Sequence, residues 1–171
     1  MTYVRETARR RRAWPRQGVI ALAMTAVAAT WSNDGAAATC NVSANPLSFG
    51  AYSTTSNATS TTTITITCGG WGNGSKSVSY TLSATAGSGS YANRQLLNGS
   101  NTVSYNLYTS SAYTTIWGDG TGDGTITLSG TITNQQSSVP ITIYGVIRAG
   151  QNAVPGSYGT TMPITVTLTY Q

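Results

Sequence analysis

Between Thr61 and Cys68 the chain alternates strictly: Ile64, Ile66 and Cys68 fall on one side of an extended backbone, and Thr63, Thr65 and Thr67 on the other. An extended chain turns successive side chains to opposite faces, so this period of two demands a strand with one apolar face and one wetted face. The same period recurs through Val78, Tyr80 and Leu82, then Val103, Tyr105 and Leu107, then Ile126, Leu128 and Ile132. Val139, Ile141, Ile143 and Ile147 repeat it, and the chain closes on Ile164, Val166, Leu168 and Tyr170. Asn73-Gly74, Asn98-Gly99, Asp119-Gly120 and Asp123-Gly124 punctuate these runs with pairs that accept the positive φ of a tight hairpin. Thr, Ser, Tyr, Val and Ile are plentiful, strong helix formers are scarce, and no amphipathic helical stretch follows residue 38. Many short strands separated by turns predict an all-β fold, an antiparallel β-sandwich.

The first 38 residues have a different chemistry. Arg5, Arg9, Arg10, Arg11, Arg12 and Arg16 stand against Glu6 alone, so 6 − 1 = +5, the whole formal charge of the 171-residue chain, lies before residue 18. An apolar run from Gly18 to Ala29 follows, about a dozen residues against the roughly twenty that a membrane-spanning helix requires. A basic segment, a short apolar run and the small-residue stretches Val27-Ala28-Ala29 and Ala36-Ala37-Ala38 predict a signal peptide over 1–38. Cleavage is expected after Ala38, with Ala29 the alternative, leaving a single domain over 39–171 and no membrane span in the mature protein.

That exported part is almost free of charge. Lys76, Arg94 and Arg148 against Asp119 and Asp123 give 3 − 2 = +1. With no basic patch, nucleic-acid binding has no electrostatic basis. An oxidising destination makes a disulfide the expected state of Cys40 and Cys68, the only two cysteines. Because Cys68 shares a face with Ile64 and Ile66, the bridge is expected inside the sandwich, tying the first strand to the strand that ends at Cys68. Histidine is absent and Lys76 is the only lysine, so neither a Ser/His/Asp nor a Cys/His constellation can be assembled, and no enzymatic activity is expected. Gly118-Asp-Gly-Thr-Gly-Asp-Gly124 superficially resembles calcium-binding Gly-Asp repeats, but two acids make a poor cage and Asp-Gly is a turn signal, so neither metal nor cofactor is expected.

Specific segments then resemble a known family. Cys40-Asn-Val-Ser-Ala-Asn-Pro-Leu-Ser-Phe-Gly-Ala-Tyr52, Val103-Ser-Tyr-Asn-Leu-Tyr108, Trp117-Gly-Asp-Gly-Thr121, Tyr144-Gly-Val-Ile-Arg-Ala-Gly150 and Gly156-Ser-Tyr158 occur in the order and spacing of the spore coat protein U family. This family includes the pilins of archaic (Csu-type) chaperone–usher pili. The resemblance implies an immunoglobulin-like sandwich lacking its final strand. It further implies a periplasmic chaperone that lends a strand to the open groove, an outer-membrane usher that exports the subunit, and neighbouring pilin subunits that donate the replacing strand. Ile164, Val166, Leu168 and Tyr170 are the expected acceptor edge, and the location is the cell surface, reached through the periplasm, in a pilus or an extracellular coat.

Two positions depart from the pilin pattern. A polymerising subunit needs an alternating apolar donor segment ahead of its first cysteine, whereas cleavage leaves Thr39 alone or Thr30-Trp-Ser-Asn-Asp-Gly-Ala-Ala-Ala-Thr39. This chain is therefore expected to accept a strand without giving one, as a minor or terminal subunit or a coat component does. Gly159 also stands where similar sequences often carry an acid. The competing reading is a free-standing secreted carbohydrate-binding sandwich, for which Trp71, in a Gly-rich loop, is the candidate surface contact.

Overall fold

The computed structural model describes residues 4–8, 38–72, 77–134, 136–160 and 162–171, and no helix occurs among them. The strands are β1 (Val4–Ala8), β2 (Thr39–Ala44), β3 (Ala51–Tyr52), β4 (Ala58–Gly69), β5 (Ser77–Ala84), β6 (Arg94–Asn98), β7 (Asn101–Tyr108), β8 (Leu128–Thr133), β9 (Ser138–Ile147), β10 (Gly156–Ser157) and β11 (Val166–Tyr170). They form a five-stranded sheet in the order β2-β4-β9-β7-β6, a four-stranded sheet in the order β1-β11-β5-β8, and the small pair β10-β3. Every pairing is antiparallel except that of β1 with β11.

The two large sheets share one core, as the alternation requires. Ile64, Ile66, Ile143 and Ile147 point inward from the five-stranded sheet and meet Val78, Leu82, Ile132 and Leu168 from the other. Burying each such side chain stabilises by about 1.5–3 kcal/mol. Cys40 and Cys68 are register partners on β2 and β4, both buried and joined in the expected disulfide. The apolar alternation of β9 skips one position, at Gly145. A Cβ there would come within 2.7 Å of the Phe49 ring and 2.8 Å of Leu47, so the missing side chain is what lets the segment after β2 lie against the core.

Three expectations are corrected or refined. Ile126 is 40% exposed and is not part of β8, because it bonds with the 116–118 segment instead: its amide donates to the Ile116 carbonyl and its carbonyl accepts from the Gly118 amide. Thr125 is the buried neighbour. Ile164 lies ahead of the closing strand, which begins at Val166. Pro163 has no amide to donate, and the Thr165 amide goes to the Thr85 hydroxyl at 2.9 Å, so the regular ladder starts one residue later. Asn98-Gly99 does turn the β6–β7 hairpin, with Gly99 at φ 59°, whereas Asp119-Gly120 and Asp123-Gly124 shape a loop between Trp117 and Ile126. Asn73-Gly74 lies outside the described residues.

One long side of the sandwich is closed and the other is not. On the closed side the Trp117 amide donates to the Leu107 carbonyl at 2.9 Å, and the next carbonyl, of Gly118, accepts from Ala84 at 3.1 Å, so the 117–118 backbone spans from one sheet to the other. The Trp117 indole fills the space between, its Nε1 donating to the Leu82 carbonyl at 3.3 Å. On the opposite side the sheets end on β2 and on β11, which carries β1 on its outer edge.

Candidate strand-acceptor groove

Between those two edges lies an apolar groove with an open volume of about 380 Å³. Its first wall is the chain that continues β2, from Ala44 to Ala51. Asn45 prolongs the ladder by donating its amide to the Thr63 carbonyl at 3.2 Å and accepting from the Thr62 hydroxyl at 2.6 Å. Beyond Pro46, Leu47 and Phe49 turn toward the core, and Phe49 meets Tyr105 edge-on at 5.6 Å. Its second wall is formed by residues 157–160 with Pro163, Ile164 and Val166. It is latched by Ser88, whose hydroxyl accepts from the Met162 amide at 3.2 Å, and by a close approach at Gly87, where a Cβ would come within 2.8 Å of Ile164. The walls converge where β3 pairs with β10, and Tyr52 and Tyr158 stack edge-on there at 6.1 Å. Ile64, Leu107, Trp117 and Ile143 form the floor.

Among the described residues no carboxylate, guanidinium or ammonium lines this groove. Its titratable groups are phenols, and burial raises the Tyr105 pKa above the usual phenol value, the Arg94 charge opposing that rise. The groove offers apolar surface flanked by sheet edges, which is what an extended segment of alternating side chains complements.

The expected acceptor residues divide between the parts of this site. Val166, Leu168 and Tyr170 are in β11, antiparallel to β5 in the register Val166↔Ala84, Leu168↔Leu82 and Tyr170↔Tyr80. Ile164 and Val166 line the open groove, and Val166 and Leu168 are buried. Along the outer edge of β11 runs β1, parallel, in the register Val4↔Val166 through Ala8↔Tyr170. It lies against β2 without forming a ladder with it. The open groove continues from Val166 back through Ile164 and Pro163, past the point where β1 begins.

A model of the Spore Coat Protein U domain matches residues 24–165. The chain belongs to this family. Among curated proteins no relative matches. The spore coat U match opens within the expected leader and ends one residue before β11, so the expected acceptor strand lies just beyond it. Gly159, the departure from similar sequences, exchanges backbone hydrogen bonds with Leu97 at 2.6 and 2.9 Å, joining the groove wall to the outer edge of β6.

Trp71 is half-buried and packs against the core. Asp119 accepts from the Thr121 amide at 3.0 Å and the Thr121 hydroxyl at 2.7 Å, which holds its carboxyl below the usual range, while Asp123 accepts from the Ala92 amide at 3.3 Å. Sequence reading did not find Leu47, Phe49 and Tyr158 as groove residues, although all three fall in quoted family segments. The readable signal was the gap at Gly145 in the β9 alternation, which marks where another segment must approach.

Proposed function

We propose that this protein is an exported structural subunit of a cell-surface assembly, joined to it by a strand that it accepts from a partner. The spore coat U domain and the buried disulfide accord with a surface or coat protein folded in an oxidising compartment. The observation that carries the reading is the outer edge of β11, where a strand from a remote part of the chain is seated beside a groove that is still open. That strand, Val4–Ala8, lies within the expected leader. Once residues 1–38 are removed, β11 becomes a bare edge beside exposed apolar surface, a combination that takes up another strand.

A periplasmic chaperone fills the site first, an outer-membrane usher passes the subunit outward, and a neighbouring subunit's extension replaces the chaperone strand. Having no donor segment of its own ahead of Cys40, the chain sits at an end of the fibre, or as a minor component or coat protein. Its work is assembly, with no catalytic step.

The test is addition of a peptide carrying the donor segment of a subunit encoded beside this one. A ligand that binds only the folded state raises the melting temperature by mass action, so the mature domain should melt higher with peptide and be recovered soluble only with chaperone or peptide. A monodisperse, thermally stable monomer indifferent to both would overturn the reading.

A further inference from the structure

The outer face of the five-stranded sheet holds a second depression, of about 270 Å³, over β7 and β9 and away from the groove. Its floor is fixed. Gln151 clamps Ser104, accepting from its amide at 2.6 Å and donating to its carbonyl at 2.8 Å. Asn106 donates to the Tyr91 and Ala92 carbonyls at 2.8 and 3.3 Å and accepts from the Leu107 amide and the Arg94 guanidinium. Tyr108 forms a wall and is itself held edge-on by Tyr113 at 5.5 Å.

Two cations flank this depression. Arg148, just past the end of β9, is exposed, and its guanidinium makes no hydrogen bond or ion pair among the described residues. Arg94 is fully buried behind Asn106, with amide and carbonyl oxygens of Asn106, Thr85 and Trp117 as its hydrogen-bond partners and no carboxylate among them. Asp123, which reaches the Ala92 amide, does not line the depression. The Asn93 side-chain amide and the Ser104 hydroxyl belong to residues that line it and have no hydrogen-bond partner among the described residues.

We infer that this depression binds the carboxylate-bearing sugar of an acidic glycan. The Arg148 fork matches a carboxylate in two parallel hydrogen bonds. Tyr108, buried but for a small part of its surface, gives the depression an apolar wall, and Asn93 and Ser104 offer donors and acceptors to ring hydroxyls. The volume lies just below that of pockets for drug-sized ligands and suits a single sugar residue. An acidic peptide fits less well. β7 and β9 are interior strands with their backbone groups committed to ladders, so a peptide cannot add there as a strand. This site shares only Tyr105 with the described lining of the groove, and neither Arg148 nor Asn93 lines the groove.

The experiment titrates the exported, oxidised protein, carrying whatever strand fills its groove, with an oligogalacturonate, a neutral oligogalactose and a glutamate-rich peptide. The oligogalacturonate should bind, more weakly as salt rises, with amide chemical shifts moving at Asn93, Ser104 and Arg148. Arg148→Gln, an exposed substitution that leaves the fold intact, should lower its affinity about tenfold or more. Equal affinity for the neutral glycan, preference for the peptide, unchanged affinity in Arg148→Gln, or no binding of any of the three would each overturn the inference.

Discussion

At Gly145 a single absent side chain sets the shape of the groove, because Phe49 and Leu47 occupy the space a Cβ would take. Gly145→Val should push the wall after β2 outward and narrow the site. Overpacking of this kind costs about 1–3 kcal/mol, which a thermal melt would register, and donor-peptide binding should fall further than stability does. Arg94 is the other residue that sets its surroundings, since its guanidinium gathers Asn106, Thr85 and Trp117 around one buried charge. Its planar face lies over Tyr91, 5.3 Å from the ring centroid. The Tyr91 phenol donates to the Ala84 carbonyl at 3.1 Å, and burial, then the neighbouring Asp119, pushes its pKa up to about 12 from 10.0. The folded state therefore holds this proton more tightly than the unfolded chain. Its contribution is fully present below pH 10.0 and is lost as pH rises toward about 12. Tyr91→Phe should flatten that alkaline limb in a pH series of melts, leaving a remainder from Tyr80 and Tyr105, whose pKa values burial also raises.

Among the elements, β11 carries the most consequence for its length. Leu168 is wholly buried opposite Leu82, and an ionised carboxylate there has no partner, so Leu168→Asp should abolish both folding and chaperone capture. Thr169→Asp, on the exposed side of the same strand, should leave soluble yield nearly unchanged, and periplasmic recovery of the two variants side by side checks the face assignment. Strands of this kind were legible because of their period of two: β4 and β5 follow the sequence alternation, β7 does so with Asn106 buried as well, and β9 does so but for the gap at Gly145. Both errors fell at strand starts. At Ile126 and Ile164 the apolar side chain is in phase but the backbone hydrogen bonds go elsewhere, to Ile116 and Gly118 in one case, and are interrupted by Pro163 and the Thr85 hydroxyl in the other. Alternation reports which way side chains point and is silent on which neighbour the backbone takes. The groove was less legible still. Its walls, 44–51 and 157–160 with Pro163, Ile164 and Val166, are mostly irregular chain brought together by the two-residue pair of β3 and β10, and no local pattern announces a pairing about a hundred residues apart.

For the molecule as a whole, the asymmetry between the two long sides decides what can be added to it. Trp117 and Gly118 hold the sheets together on one side through backbone and indole alike, so the sandwich opens only along β2 and β11. That leaves β2 as the wall most exposed to peeling, and the disulfide sits on it. When the domain is pulled from its two ends, tension entering at Thr39 meets Cys40 one residue later. It passes through the bridge straight into β4, the strand paired over ten residues with β9, and β2 itself carries no load. The loop that the bridge closes, a sequence separation of 28, is thereby withheld from extension when the domain gives way. Stretching single molecules with and without reductant should show the difference directly. The reduced protein should yield at lower force and release roughly 100 Å more chain, the span of that withheld segment at full extension.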